Sequence, residues 1–265
     1  GRYGQFTQGF VEPLENCAMI GGTIQGTSGS MSQSGFVGGI VGRAFGEIQR
    51  CYATGDIIGA DNAREYGGIV GESYKTVNAC YSTGSLSGMG SYADDFGGIA
   101  GVARGAVTNC YATGNVTGGA YSGGFAGSLW GLNIKNCYAT GDVTGAFASM
   151  ATFAGTDASA GYAYGSVTNC YTTGKVVGTA SSTYAFMQQD ATARSPITNC
   201  YFADTNSAIK NSNETAISKT PEEMQTEGFK NALNASSPTN GWIFRDGATP
   251  YCGAEPADYS GVKAA

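Results

Sequence analysis

Cysteine is the most chemically versatile residue type in this chain, because a thiolate can form a disulfide, bind a metal ion or act as a nucleophile. Seven of the eight cysteines recur every 27 to 34 residues, at Cys17, Cys51, Cys80, Cys110, Cys137, Cys170 and Cys200. If the repeats stack, neighbouring cysteines lie about 4.8 Å apart with parallel side chains. This geometry is poor for disulfides, and a linear column offers no tetrahedral set of metal ligands. We interpret the seven as a buried ladder of free thiols that pack as small hydrophobic side chains. Cys252 stands outside the column and is a candidate for a bridge to the last repeats or to another subunit.

Other catalytic groups are scarce. The chain has no histidine, which excludes Ser-His-Asp and Cys-His arrangements and histidine-ligated zinc. Ser207 and Lys210 fit a Ser-x-x-Lys pattern, but the companion motifs of that enzyme class are missing. Asp94 and Asp95 fall in a variable part of the repeat, where we expect a solvated loop, with calcium binding as the alternative. We therefore predict no catalytic residue, no cofactor and no metal site, and a protein that is not an enzyme.

The cysteines belong to a longer repeat, which is most complete at 136–145 as NCYATGDVTG. An aliphatic residue lies three positions before each cysteine, asparagine directly precedes five of the seven, and tyrosine follows six. A small residue, threonine and glycine come next, and then an apolar residue. A glycine box of the type Gly-Gly-Ile-Val-Gly recurs at 38–42 and 67–71 and, with variation, at 97–101 and 123–127. Each repeat therefore contains three short runs typical of β-strands, separated by glycine or asparagine.

This pattern predicts an all-β protein, a parallel β-solenoid of about eight coils of ~30 residues over 1–205. Glycine makes up 43 of the 265 residues. That content excludes a helical repeat, because glycine destabilises helix interiors, whereas it suits the tight bends at solenoid corners. One repeat cannot bury its apolar residues alone, so the copies must stack, each strand pairing with its equivalent one coil away.

The composition changes after Cys200, and we predict a C-terminal cap over 206–252 followed by an irregular tail over 253–265. Thr220, Pro221 and Glu223 form a capping-box start. This start predicts a helix near 220–234, and a strand is predicted near 242–245. We expect the helix to cover the last coil and to block its exposed strand edges.

The glycine box followed by the Asn-Cys-Tyr-Ala-Thr-Gly run resembles the GLUG repeat of bacterial surface proteins, including adhesin-like proteins and the stalk regions of some secreted peptidases. The resemblance covers about 1–202, and the segment 219–242 is similar to the closing segment that often follows such repeats. It implies a cell-surface or extracellular location and a structural or adhesive role. It supplies no catalytic residues.

Strand alternation assigns the repeat positions to faces. If the asparagine takes the left-handed bend that it tolerates, cysteine and alanine face the core while tyrosine and threonine face outwards. With the parity reversed, tyrosine would fill the core. The predicted outward surface, here called the Tyr/Thr face, consists of Tyr52, Tyr81, Tyr111, Tyr138 and Tyr171 with Thr54, Thr83, Thr113, Thr140 and Thr173. Such ladders stabilise sheets by themselves; the functional alternative is a contact face for glycans or other subunits.

Charge and hydropathy restrict the partners. Only 13% of the residues are charged and the net charge is -6, which argues against nucleic acid as a partner because phosphate binding needs a basic surface. No apolar run approaches the roughly 20 residues of a membrane span.

These observations favour an extracellular structural protein, a rigid β-solenoid that forms part of a surface filament or stalk. The alternatives are a carbohydrate-binding adhesin that uses the Tyr/Thr face and a non-catalytic stalk of a larger secreted hydrolase. If the chain is a mature product rather than a piece of something longer, its repeat-like start and the cap predicted at its other end favour head-to-tail self-association into a homopolymer. Other surface proteins and glycans are the further candidate partners.

Overall fold

The computed structural model describes residues 2–3, 12–26, 35–60, 64–88, 94–130, 133–146, 149–157, 165–189, 195–205, 215–235, 242–243 and 249–252. These residues form an all-β parallel solenoid with two short helices near the C-terminus. Five parallel sheets run along the solenoid, and a complete coil contributes one strand to each of them. We number the sheets 1 to 5 in the order in which the chain enters them within a coil.

Sheets 1 to 3 contain the strands of the glycine box and of the aliphatic position before each cysteine. Sheet 1 consists of Val37–Gly38, Arg64–Gly67, Asp94–Gly97, Tyr121–Gly123, Ser149–Ala151 and Ser182–Tyr184. Sheet 2 consists of Arg2–Tyr3, Val41–Ala44, Val70–Ser73, Ala100–Ala103, Ala126–Leu129, Ala154–Asp157 and Met187–Gln189. Sheet 3 consists of Leu14–Glu15, Ile48–Gln49, Val77–Asn78, Val107–Thr108, Ile134–Lys135, Val167–Thr168 and Ile197–Thr198.

Sheets 4 and 5 follow the cysteine. Sheet 4 consists of Ala18–Met19, Tyr52–Ala53, Tyr81–Ser82, Tyr111–Ala112, Tyr138–Ala139, Tyr171–Thr172, Tyr201–Ala203 and Ile217–Lys219. Sheet 5 consists of Thr23–Gln25, Asp56–Ile58, Leu86–Ser87, Val116–Thr117, Val143–Gly145 and Val176–Gly178. The helices are α1, Pro221–Met224, and α2, Glu227–Asn234, and an antiparallel pair joins Trp242–Ile243 to Tyr251–Cys252.

The number of coils is lower than expected. Within the described residues, five coils contain all five strands; they span 37–58, 64–87, 94–117, 121–145 and 149–178, and we name them coils 1 to 5. An incomplete coil lies on either side of them. The expectation of about eight coils is not supported, because the strand Ile217–Lys219 adds a rung to sheet 4 alone before Pro221 starts α1.

The interior is filled by columns of equivalent residues. Phe125, Phe153 and Phe186 stack with ring centroids 4.7 and 4.6 Å apart, which matches the spacing of paired strands. A second column beneath sheet 5 consists of Ile57, Leu86, Val116, Val143 and Val176. One coil is therefore packed by the coils above and below it rather than by its own residues.

Glycine is required where the coils approach most closely. A Cβ on Gly67 would lie 2.0 Å from the carbonyl oxygen of Val70, and a Cβ on Gly84 would lie 1.9 Å from that of Gly55. No side chain fits at these two positions, which explains why the repeat keeps glycine there.

The cap confirms the predicted capping box but divides the helix in two. Thr220 accepts a hydrogen bond from the backbone of Glu223, whose side chain accepts one from the backbone N–H of Thr220. A second N-cap, Thr226, starts α2, so two helices stand where one was predicted. Neither described helix has the length and apolar content needed to cross a membrane.

Candidate functional site

A left-handed residue directly precedes each ladder cysteine and determines which side chains face the core. The residues are Asn16, Arg50, Ala79, Asn109, Asn136, Asn169 and Asn199, and their φ values lie between 51° and 56°. Asparagine tolerates this conformation well, and arginine and alanine tolerate it less well. The bend expected from the sequence is therefore present in all seven copies.

The asparagines also form a hydrogen-bonded ladder along the solenoid. Asn136 donates from Nδ2 to Asn109 Oδ1 at 3.1 Å, Asn169 donates to Asn136 at 3.3 Å, and Asn199 donates to Asn169 at 2.7 Å. Asn199 Nδ2 also lies 2.9 Å from the carbonyl oxygen of Ala232 in α2. The ladder therefore links neighbouring coils and ends on the cap.

The structure places the cysteine column inside the solenoid. Cys51, Cys80, Cys110, Cys137, Cys170 and Cys200 are buried and Cys17 is half-buried, all with free thiols. The hydrogen bond to Cys110 and burial raise the pKa of Cys80, and burial raises the pKa of Cys170. A raised pKa suppresses the thiolate, so these groups are poor nucleophiles and poor metal ligands.

Metal binding and bridging find no support in the described part of the chain. No group of three or more Cys, Asp or Glu side chains there could hold a metal ion. Cys252 pairs through its backbone with Trp242, but its side chain lies outside the described residues, as does the Ser207–Lys210 pair.

Tyrosines form a continuous stack on the other side of sheet 4. The ring centroids of Tyr52, Tyr81, Tyr111, Tyr138 and Tyr171 are 4.8 to 5.1 Å apart, with interplanar angles of 10° or less. The ring faces therefore cover one another. Tyr81 is half-buried and the other four are buried, so the tyrosines point away from the core without forming the exposed surface expected from the sequence.

The C-terminal segment explains part of this burial. We name the described residues within 221–252, namely 221–235, 242–243 and 249–252, the strap. Phe229 of α2 meets Tyr171 and Tyr201 edge-on at 5.6 and 5.0 Å, and Trp242 lies 5.3 Å from Tyr171. The hydroxyl of Tyr171 donates to the carbonyl oxygen of Pro250 at 2.5 Å. The strap therefore lies along the side of the solenoid, and of the five sheets only sheet 4 gains a further strand at this end of the described chain.

The threonine half of the Tyr/Thr face is more accessible. Thr83 and Thr113 are exposed, and Thr54, Thr140 and Thr173 are half-buried. Where the strap passes this column it leaves a groove of about 390 Å³, lined by Thr140, Thr173, Ala203, Pro221, Gln225 and Thr249. We name it the threonine groove.

A charged cluster on sheet 2 was not found from the sequence. Arg104 Nε donates to Glu72 Oε1 at 2.6 Å, and Arg43 Nε lies 2.6 Å from Glu72 Oε2, in ion-pair contact but off the hydrogen-bond direction. The guanidinium of Arg104 stacks 4.1 Å from the Trp130 ring and 5.4 Å from the Tyr74 ring. Glu72 is only 1% exposed, so this pairing compensates a buried charge.

Three further carboxyls border the cluster, Glu65, Asp94 and Asp95, and the last two correct the expectation of a solvated loop at Asp94 and Asp95. Both residues lie in a strand, Asp94 pairs with Arg64 at 3.6 Å, and Asp95 accepts a hydrogen bond from Ser128. Burial raises the pKa of Asp95 to about 7. Burial, reinforced by the neighbouring carboxylates, raises the pKa of Glu65 to about 8.

The sequence contained a signal for this cluster. Arg43 and Glu72 follow the last glycine of successive glycine boxes and occupy one register position in sheet 2. Phe45, Tyr74, Arg104 and Trp130 likewise lie directly after successive strands of that sheet. Opposite charges at one repeat position predict an ion pair between coils.

Comparisons with known proteins agree with this geometry. The model of the GLUG motif matches 35–58, 95–117 and 118–144. The chain carries GLUG motif repeats. The matches coincide with coils 1, 3 and 4, so one GLUG motif corresponds to one coil. None of the curated proteins compared with the chain matches it.

The solenoid also resembles a solved structure. It superposes with a TM-score of 0.59 on the crystal structure of a Bacteroides ovatus protein described as a candidate immunoglobulin A1 protease. The two are 20% identical, and the alignment covers 91% of this chain and 74% of that one. At this identity the likeness supports the solenoid fold alone.

Proposed function

We propose that this chain is a non-catalytic extracellular structural element, a rigid spacer that forms part of a surface filament or stalk. The observation that carries the proposal is the constant register of coils 1 to 5. The same repeat positions pair from coil to coil, as in the columns Val77–Val107–Ile134–Val167 of sheet 3 and Tyr81–Tyr111–Tyr138–Tyr171 of sheet 4. Stacks of this kind lengthen by whole coils and resist bending because every coil is held on both sides.

The side-chain chemistry supports a non-catalytic role. Hydrogen bonding to Cys110 and burial raise the pKa of the Cys80 thiol, and burial raises the pKa of the Cys170 thiol. The buried carboxylate of Glu72 is held by two arginines. GLUG repeats occur in secreted bacterial proteins, which supports an extracellular location.

The sheet edges support a proposal of self-association. At the C-terminal end of the described solenoid, sheets 1, 2, 3 and 5 end at Ser182–Tyr184, Met187–Gln189, Ile197–Thr198 and Val176–Gly178. A second copy stacked head-to-tail would pair with these edges, and repetition of such a contact gives a filament.

Sedimentation velocity and negative-stain microscopy at increasing protein concentration test this assembly. We expect rods that lengthen with concentration. Val177→Lys places a charge on the terminal strand of sheet 5, which is one of these edges, and should weaken the self-association. Ile243→Lys is the matched control, because Ile243 is about equally exposed, at 45% against 48%, and lies in the strap. A chain that stays monomeric at every concentration would reject assembly, and a particle without a rod shape would reject the spacer.

The description of the Bacteroides ovatus protein favours a second candidate, a stalk that belongs to a secreted protease. Incubation of the chain with immunoglobulin A1, followed by electrophoresis, tests whether the chain is a non-catalytic stalk or an enzyme. We expect no cleavage by this chain, and cleavage would overturn the non-catalytic assignment.

A further inference from the structure

The threonine groove has the size and position of a ligand site. Its volume of about 390 Å³ falls within the ~300–1,000 Å³ typical of small-molecule sites. One wall is the threonine column of sheet 4, and the other is α1 with Thr249 of the strap. Both walls are tied together, since Asn199 holds α2 and Tyr171 holds Pro250. The groove is therefore largely preformed.

The groups of the threonine groove that remain available for hydrogen bonds to a ligand are side chains. The backbone N–H groups of Thr140 and Thr173 already donate to the carbonyl oxygens of Ala112 and Ala139, at 3.0 and 3.1 Å. Among the described residues, no protein partner bonds the hydroxyls of Thr140 and Thr173. The hydroxyl of Thr54 in the same column, by contrast, accepts from the backbone N–H of Gly21. The groove therefore offers unused hydroxyls that can both donate and accept.

The groove is also uncharged. Its described lining consists of three threonines, one glutamine, one alanine and one proline. A charged ligand would lose hydration there without an ionic partner, which is costly. A neutral ligand rich in hydroxyl groups meets no such cost, and its apolar C–H surface can pack on Ala203 and Pro221.

We propose that the threonine groove binds a neutral saccharide. A peptide fits less well, because the strands on this wall are paired on both sides and offer no edge for backbone hydrogen bonds. The tyrosine ladder is not the platform, since its ring faces are covered by one another. This inference is independent of filament assembly.

Isothermal titration calorimetry with the intact chain tests the proposal. The probes are maltotetraose, cellotetraose, mannotetraose and chitotetraose, with sialyllactose as the charged comparison and a Gly-Ser peptide as the alternative ligand class. We expect at least one neutral tetrasaccharide to bind and sialyllactose and the peptide not to bind. Thr140→Val and Thr173→Val remove a hydroxyl at constant shape, and each should weaken binding about tenfold.

Matched controls exist in the same column. Thr83→Val and Thr113→Val change exposed threonines outside the groove and should alter the dissociation constant less than about twofold. Gln225→Leu, at the C-cap of α1, is a further groove variant if a threonine variant fails to fold. The proposal is overturned if no neutral probe binds at millimolar concentration, if the groove variants bind normally, if the control variants lose as much affinity, or if the peptide binds instead.

Discussion

Asparagine suits its position in this repeat for two reasons, one in its backbone and one in its side chain. It adopts the left-handed conformation before each cysteine, and its amide bonds the asparagine one coil away. Ala79 occupies the same position with φ 52° and can do only the first, at a steric cost. A substitution at Ala79, where the amide is missing, therefore measures what the asparagine side chain contributes to the free energy of unfolding.

Ala79→Asn should therefore stabilise the protein by about 1 kcal/mol, measured as the free energy of unfolding in urea. Ala79→Gly relieves the backbone strain without adding an amide and should recover only part of that gain. If both variants were destabilising, the left-handed residue would not limit the stability of this coil.

Accessibility rather than thiol chemistry should decide the reactivity of the cysteines. Cys17 is half-buried at one end of the ladder, while the six others are buried. In a Cys252→Ser background, iodoacetamide should modify Cys17 in the native protein and the other six only after unfolding, as read by peptide mass spectrometry. Native-state modification of Cys110 or Cys137 would contradict the buried ladder.

The half-buried carboxyls of Glu65 and Asp95 should make stability depend on pH. Glu65 and Asp95 keep their protons to about pH 8 and pH 7 in the folded protein, against usual values of 4.5 and 3.8. Glu72 and Asp95 raise the pKa of Glu65, whereas Arg43 and Arg104 oppose that rise; Asp94 raises the pKa of Asp95, and Arg64 opposes it. As pH rises from about 4 to 8, the unfolded chain releases protons that the folded chain retains, so the free energy of unfolding falls.

Urea unfolding at pH 5 and pH 8 checks this sign. The wild-type protein should be more stable at pH 5, and Glu65→Gln and Asp95→Asn should reduce the difference. Glu222→Gln changes an exposed carboxyl in α1 and should leave the difference unaltered. A protein that is more stable at pH 8 would mean that these two carboxyls are ionised in the fold.

Helix α2 supplies the residues of the strap that are buried against the tyrosines. Phe229 is 2% exposed and meets two tyrosine rings edge-on. Phe229→Ala should cost about 3 to 5 kcal/mol, and Asn231→Ala, exposed on the same helix, less than about 0.5 kcal/mol. In a Trp130→Phe background, which leaves Trp242 as the only tryptophan, Phe229→Ala should also shift the emission to the red. Equal effects of the two alanine variants would show that the strap does not depend on this contact.

The sheets could be predicted from the sequence because each strand is specified by residues within its own repeat. The asparagine bend, the inward cysteine and the capping box at Thr220 depend on neighbours a few residues away. The path of the strap depends on contacts such as that of Tyr171 with Pro250, which are 79 residues apart. No local pattern encodes such a contact, so the tyrosines were expected on the surface.

The surroundings of Asp94 and Asp95 were predicted wrongly for the same reason, because they depend on contacts between coils. Asp95 is half-buried and accepts a hydrogen bond from Ser128, which lies 33 residues later. The number of coils was overestimated because Ile217–Lys219 continues one sheet and not the other four.

The solenoid as a whole should tolerate the removal of a coil in register. Deleting 110–136 joins Asn109 to Cys137, and the two asparagines involved are 27 residues apart at equivalent positions. Thr156 then takes the register position of Ser128 beside Asp95. We expect a folded, shorter solenoid that is less stable by one interface between coils, measured by circular dichroism and urea unfolding.

Deletion of 111–136 is the control, because it joins Cys110 to Cys137, leaves one extra residue and reverses the alternation of the side chains in the strand that follows. We expect this variant to misfold. If both deletions folded equally well, the register would not be what specifies the stack.

The strap changes how the molecule would bear tension. Hydrogen bonds between coils run along the solenoid, so a pull on the terminal coil would peel it away strand by strand. Trp242, however, rests on Tyr138 of coil 4 and Tyr171 of coil 5. A force applied through the chain after Cys252 would therefore load the contacts of Pro250 and Trp242 with the tyrosines of coils 4 and 5 before it loads the last coil.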